Sequence, residues 1–250
     1  MPDTRPVERR SSAAGPWRVH WYDSVTSTND VARLFQTTGG EWHAVAASLQ
    51  TAGRGQHGKR WESPAGANLL VTFSIPAKVA PPGGLCALAA GSAVCLALEL
   101  MGVDARCKWP NDAYAGGAKI CGILVDAADG VDHIGIGVNL AWPAKRTHAG
   151  GGGNAMTSVL AETGVTVCAA EALGMLARPL HAALASEPAG IVSAYAARCA
   201  TLGATVAVRR GSVWTPAVAT GIAADGGLIV RHASGRLGTV HSSTHLRQRT

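Results

Sequence analysis

The chain has 250 residues, 47% of them hydrophobic, and a formal net charge of +6, which is enough apolar material for one sizeable domain plus a small one and excludes a charge-rich disordered chain. The longest apolar run, residues 84–103, is dominated by Gly, Ala and Ser and holds Glu99, so it predicts a buried helix and argues against a membrane span. Cys86, Cys95, Cys107, Cys121, Cys168 and Cys199 form no C-x-x-C pair and sit mostly in apolar runs; the expectation is free, buried thiols in a reducing cytoplasm, with neither a zinc site nor a disulfide framework.

Residues 1–17, rich in Arg, Ser and Pro, are expected to form a disordered tail and no signal peptide. A strand is predicted at 18–24 and a helix at 28–36, where Ser27 or Thr28 can cap and Asn29 and Asp30 favour the first turn. A strand at 44–50 then leads into Gly53-Arg54-Gly55-Gln56-His57-Gly58-Lys59-Arg60-Trp61. This segment satisfies G-x-G-x-x-G and the first seven positions of a P-loop. It fits neither motif: Arg60 stands where a P-loop needs a magnesium-binding hydroxyl, and Pro64 and Gly66 oppose the helix that a dinucleotide fingerprint must open. What remains is a glycine-rich loop whose N–H groups and fixed cations suit an anion or an acyl group becoming a mixed anhydride. A solvated basic turn accounts for the same residues.

Strands are predicted at 67–74 and 105–109 around a helix at 85–101. Lys108-Trp109-Pro110-Asn111-Asp112 follows, then a turn through Ala115-Gly116-Gly117 and an apolar strand at 119–126 that opens on Lys119. A lone ammonium at the edge of a buried sheet is costly unless an anion meets it. In the next strand, 133–140, Gly135 and Gly137 alternate with β-branched residues, so the two glycines share a face and leave either a slot for a flat ligand or room for tight packing. Gly53 to Gly58 and the run Gly150-Gly151-Gly152-Gly153-Asn154 are expected to be mobile when empty. Helices at 167–185 and 190–199 complete residues 18–200, read as an α+β domain with a mixed sheet flanked by helices. Residues 201–250 turn to short strands broken by Gly and Pro, the pattern of a small β-barrel; their six arginines against one acid, Asp225, give this segment +5 of the chain's +6.

Ser27-Thr28-Asn29, Gln50 with the loop from Gly53 to Trp61, Ser63-Pro64-x-Gly66-x-Asn68-Leu69, the Lys108–Asp112 segment, Lys119-x-x-Gly122-Ile123-Leu124 and Gly135-x-Gly137-x-Asn139 occur in one order along the chain. In that order and at that spacing the chain resembles biotin protein ligase, over about residues 18–250. The resemblance implies a class II aminoacyl-tRNA synthetase-like biotin/lipoate ligase fold with a small C-terminal Src-homology-3-like β-barrel. It further implies an ATP- and Mg2+-dependent enzyme that converts biotin to biotinyl-5'-adenylate and passes it to a lysine of the biotin carboxyl carrier protein of acetyl-CoA carboxylase.

On the same grounds Arg54 and Lys119 are expected to be catalytic. The biotin site is expected to comprise Ser27, Thr28, Asn29, Gln50, Gly53, Arg54, Gly55, Gln56, Thr72, Lys119, Gly122, Gly135 and Gly137. ATP is expected to meet Arg54, Lys59, Trp61, Asn68, Lys108, Asn111, Asp112, Asn139 and Asn154, with Asp112 the choice for magnesium. The implied setting is cytoplasmic, as a monomer or homodimer, with no membrane or DNA partner: a helix-turn-helix of roughly 50 to 60 residues does not fit in the 26 residues ahead of Ser27. A lipoate or octanoate ligase and a non-catalytic biotin-binding module are the rival readings. Three departures from the family stand out: Gln56 where a basic residue is usual, Lys59 where Arg is usual, and Ser243 where an acid is usual.

Overall fold

The computed structural model describes residues 7–35, 42–147 and 155–248. Eight strands make one sheet: β1 (Glu8–Ala14), β2 (Trp17–Val25), β3 (Trp42–Gln50), β4 (Asn68–Pro76), β5 (Ala105–Lys108), β6 (Asp112–Ala115), β7 (Ala118–Ala128) and β8 (Val131–Asn139). Their order is β1-β2-β3-β4-β8-β7-β6-β5. The β2–β3 pair is parallel and the others are antiparallel. The centre of the sheet is β4, whose run Leu69-Leu70-Val71-Thr72-Phe73-Ser74-Ile75 is buried on both faces; a strand covered on both sides reads as a continuous apolar run.

One face is covered by α2 (Leu85–Leu100), α4 (Ala169–Leu184) and α5 (Pro188–Arg198). In α4 the residues Leu173, Leu176, Ala177, Leu180 and Leu184 recur at three- and four-residue steps and are all buried, which is how an amphipathic helix meets a core. Along α2 apolar residues surround the helix, because it packs against α4, α5 and the sheet at once. Its Ala, Gly and Ser content permits that closeness: a Cβ on Gly91 would stand 3.1 Å from the Tyr195 ring. The other face holds α1 (Thr28–Ala32), beside β3, β4 and β8, and a short α3 (Val159–Thr163) follows β8.

A second, five-stranded antiparallel sheet is built from β9 (Thr205–Arg210), β10 (Val213–Ile222), β11 (Leu228–His232), β12 (Leu237–Val240) and β13 (Leu246–Gln248), in the order β12-β11-β10-β9-β13. Its buried Val206, Ala219, Leu228 and Val230 belong to the same apolar core as the large sheet. Trp109, itself buried, fixes the junction: its backbone N–H donates to Thr201 Oγ1 at 3.0 Å and its indole Nε1–H to the carbonyl of Gly226 at 3.0 Å. Among the described residues no helix is long and apolar enough to cross a membrane.

Three expectations are corrected. Residues 8–14 are not a disordered tail but strand β1, and Trp17 is buried. Polar partners across the pair hold this strand: Arg9 Nη1–Asp23 Oδ1 at 2.8 Å, Trp21 Nε1–Ser12 Oγ at 3.0 Å, and Arg10 over the Trp21 ring at 5.1 Å. The first helix ends at Ala32 instead of Gln36, and Ser27, its N-cap, makes no side-chain cap bond. Of the cysteines, five are buried, but Cys168 is exposed, because it serves as the N-cap of α4. The glycine run 150–154, with Asn154, lies outside the described residues.

Candidate functional site

The loop from Gly53 to Trp61 folds back on β3 as a tight hairpin. Gly55 N–H donates to the Lys59 carbonyl at 2.7 Å and Trp61 N–H to the Gly53 carbonyl at 3.0 Å. Position 53 needs glycine, since a Cβ there would lie 2.5 Å from the Trp61 carbonyl oxygen and 2.9 Å from Gln50 Nε2. The hairpin thereby delivers Arg54, Gly55, Gln56 and Trp61 to a pocket over β4, β7 and β8. That pocket is also lined by Ser27, Thr28, Asn29, Gln50, Asn111, Asp112, Lys119, Gly122, Gly135 and Gly137. Its apolar wall of Leu70, Ile123, Leu124 and Ile136 was not among the expected site residues; each is an ordinary member of an apolar strand, and only the register turns it inward.

One side of the pocket is a floor of neutral hydrogen-bonding groups. Thr28 donates through both N–H (2.8 Å) and Oγ1 (3.1 Å) to Gln50 Oε1. Buried Thr72 lies beneath the pocket, with Oγ1 2.8 Å from Thr28 Oγ1 and 2.6 Å from Asn29 Oδ1. Charge is arranged around the floor in pairs. Lys119 Nζ lies 2.6 Å from Asp112 Oδ1, both side chains about four-fifths buried. Arg54 Nη2 lies 2.8 Å from Asp30 Oδ1 and 3.4 Å from Asp126 Oδ2. Lys119 is clamped through its backbone: its N–H donates to the Ala155 carbonyl at 2.8 Å and its carbonyl accepts from Thr157 N–H at 2.9 Å. This places the ammonium at the strand's start, where an anion has to meet it.

The glycine face is occupied. A Cβ on Gly137 would lie 2.6 Å from Trp61 Cε2, and one on Gly122 would lie 2.8 Å from Trp61 Cζ3, so the indole rests directly on the bare backbone of β7 and β8. Gly135 makes room for a different group, the Asn29 amide. The slot expected for a flat ligand is therefore filled by Trp61, whose buried Nε1–H has no hydrogen-bond partner among the described residues. The remaining space is about 60 Å³, against roughly 300 to 1,000 Å³ for ligand pockets. A wider cavity of about 520 Å³ shares Arg54, Gly55, Gln56 and Leu124 with it and is lined further by Gly53, Lys59 and Asp126.

The other residues expected to meet ATP lie in different surroundings. Asn68 and Asn139 are buried and spend their amides on the fold: Asn68 Nδ2 donates to Asn139 Oδ1 (3.2 Å), Asn139 Nδ2 to the Thr157 carbonyl (2.9 Å), and Asn68 Oδ1 accepts from Leu140 N–H (3.1 Å). They tie the ends of β4 and β8 to the segment beside Lys119. Lys108 lies outside the pocket, with Nζ 4.3 Å from the Tyr114 ring centroid and 3.3 Å from its hydroxyl; burial lowers its pKa, with Asp112 opposing that shift and Lys119 adding to it. Trp61 sits against the glycines of the pocket. Asn111 does line the pocket while its Nδ2 donates to the Ile123 carbonyl at 2.7 Å. Among the described residues no group of three or more His, Cys, Asp or Glu side chains could hold a metal by itself. The barrel touches the loop: Ser243 Oγ lies 3.1 Å from His57 Nε2 and donates to Gln56 Oε1 at 3.4 Å.

A pocket that joins a neutral polar floor to paired cations suits a small ligand with a polar head and an acidic end, and comparison with known proteins agrees. The family model described as "Biotin/lipoate A/B protein ligase family" matches residues 21–140. The chain is 36% identical over 217 residues to the biotin--[acetyl-CoA-carboxylase] ligase of Paracoccus denitrificans, covering 80% of this chain and 87% of that one. In fold it is similar to the biotin protein ligase of Aquifex aeolicus in complex with biotin and ATP, with a TM-score of 0.79, 23% identity, and coverage of 92% of this chain and 98% of that one. It is also similar to the biotin protein ligase of Leishmania major in complex with biotinyl-5-AMP, with a TM-score of 0.61, 27% identity, and coverage of 90% and 98%. The mixed sheet with its flanking helices and small C-terminal barrel, the pocket and these likenesses converge: the chain belongs to the biotin protein ligase family.

Proposed function

We propose that this chain is an ATP-dependent biotin–[biotin carboxyl-carrier protein] ligase, and that the pocket around Arg54 and Lys119 performs its first half-reaction. The observation that carries the reading is the placement of two cations beside a floor of neutral donors and acceptors. A ureido ring is neutral and polar and loses affinity wherever its groups go unpaired; Ser27, Thr28, Asn29 and Gln50 supply partners, with Thr72 supporting them from below. The dithiolane of lipoate has no comparable polar ring, so the floor favours biotin over that rival.

In the first step a carboxylate oxygen of biotin attacks the α-phosphorus of ATP. The bond to the bridging oxygen breaks, and pyrophosphate leaves. Lys119 provides a point charge for the phosphate oxygens, and Arg54 a planar fork that neutralises carboxylate or phosphate. Both cations are held in place by carboxylates, Lys119 by Asp112 and Arg54 by Asp30. Magnesium, when bound, would neutralise charge developing on the phosphates; it binds commonly through one or two carboxylates plus substrate phosphates, and Asp112 fits that need. In the second step the neutral ε-amine of a carrier lysine attacks the acyl carbon, AMP departs, and the amine gives up a proton. No enzyme nucleophile is required. The five buried thiols suit a reducing cytoplasm.

The test is transfer itself. With biotin, lipoate, ATP, Mg2+, the biotin carboxyl carrier domain of an acetyl-CoA carboxylase and a lipoyl domain together, peptide mapping should find one lysine of the carrier domain biotinylated. An unmodified carrier alongside a lipoylated lipoyl domain would contradict the reading.

A further inference from the structure

We infer that Asp126, on β7, is a positioning residue that fixes the donor and acceptor pattern of the pocket floor by orienting the Asn29 amide. This rests on the reading of the pocket as a biotin site. Asp126 Oδ2 accepts from Asn29 Nδ2 at 3.0 Å, and Arg33 and Arg54 approach the same oxygen at 3.4 Å each. An ionised carboxylate only accepts hydrogen bonds, so the group of Asn29 that faces it has to be the amide NH2.

The far end of the Asn29 amide is then its oxygen, which occupies the space that the missing side chain of Gly135 leaves. Thr72 Oγ1 then donates its single proton towards that oxygen, its shorter contact at 2.6 Å, and also lies 2.8 Å from Thr28 Oγ1. Thr28 in turn meets Gln50 Oε1. One acceptor-only group at the rim thus fixes the orientation of the Asn29 amide and, through it, the Thr72 hydroxyl beneath the floor. With Asn at position 126 both amide orientations of Asn29 become available, and the Thr72 hydroxyl can reverse with them. The floor would then present two patterns to a rigid ring that fits one.

The competing role for Asp126 is as a counter-ion to Arg54, and it has a different signature. In biotin-dependent ATP–pyrophosphate exchange, Asp126→Asn should raise KM for biotin at least tenfold, leaving kcat and KM for ATP within about twofold, and Asp126→Glu should recover most of the loss. In an Asn29→Ala background the same substitution should add less than twofold, since no amide is left to orient. Circular dichroism melts establish that each variant is folded; an unfolded Asp126→Asn places the test on Asp126→Glu, which must then keep a biotin KM within about threefold of wild type. A change confined to kcat or to KM for ATP, full additivity with Asn29→Ala, or an unchanged biotin KM in Asp126→Asn would each overturn the assignment. A wild-type protein without biotin-dependent exchange would instead sink the reading of the pocket, and this assignment with it.

Discussion

Gly137→Ala asks whether the ligand approaches the bare backbone on which Trp61 now rests. The added Cβ would lie 2.6 Å from Trp61 Cε2 and 2.7 Å from Cζ2, whereas carbon atoms pack at about 3.5 to 4.0 Å. The overlap is therefore close to 1 Å. Strand β8 cannot absorb it, since it is hydrogen-bonded between β4 and β7. Trp61 belongs to the partly exposed hairpin and has to move instead. Overpacking costs about 1 to 3 kcal/mol, and a mobile neighbour puts this site near the lower end, about 1 kcal/mol of stability. The functional cost is larger: a ligand lying on β8 would be displaced by the same ångström, which is expected to raise the biotin KM by one to two decades, about 1.4 to 2.7 kcal/mol. Gly174→Ala is the internal control. It lies inside α4 with no atom within 4 Å of the new Cβ, so it should stabilise by about 0.5 to 1 kcal/mol and leave KM alone. Chemical denaturation and pyrophosphate exchange read both effects. A wild-type biotin KM in Gly137→Ala would refute the idea that the ligand takes the place of Trp61 over Gly137.

Lys119→Ala should slow adenylate formation by two or more decades, about 3 kcal/mol, and leave Asp112 without its partner; exchange near the wild-type rate would remove Lys119 from the mechanism. At position 56, Gln meets Ser243 through a neutral contact, so Gln56→Arg should tighten loop closure by about 1 kcal/mol. Slower adenylate release and less labelling of bystander serum albumin are the readouts, and equal leakage by both proteins would show that residue 56 has no part in retention. His133 is buried, with Nδ1 2.9 Å from Ser74 Oγ. Burial and then Arg33 lower its pKa below 6.5, against Asp126, Asp132 and Asp129, which raise it. A depressed histidine pKa means that the unfolded chain takes up the proton first. Stability is then full above pH 6.5 and falls as the pH drops from there through the folded-state pKa. His133→Gln should flatten that slope in urea midpoints measured between about pH 7 and pH 5, and an unchanged slope would assign it to other groups.

The strands and helices that could be read from the chain were those whose pattern carried information. Strand β4 and helices α2 and α4 announced themselves as apolar or amphipathic runs, and the structure places them within a residue or two of expectation. Strand β1 escaped because ERRSSAA has no alternation of apolar residues; its pairing rests on cross-strand polar contacts that composition hides. In the pocket, the motifs located Ser27, Thr28, Asn29, Gln50, Arg54 and Lys119 through residue type. They could not separate Asn111, which lines the pocket, from Asn68 and Asn139, which brace the sheet, because the side chains are identical and only burial tells them apart. The glycine alternation correctly marked a bare face, yet what covers it, Trp61 and the Asn29 amide, is set by the path of a loop and a helix elsewhere in the chain. Asp126 gave no signal at all, since an acid closing an apolar strand looks like any solvated strand end.

Activation of biotin in this pocket has one direct readout. The purified protein, incubated with biotin, ATP and Mg2+ and analysed by mass spectrometry, should yield biotinyl-5'-adenylate together with pyrophosphate, and an equal concentration of lipoate should neither form its own adenylate nor suppress that of biotin. Lipoyl-adenylate as the dominant product, or biotin returned unchanged with ATP intact, would contradict the account.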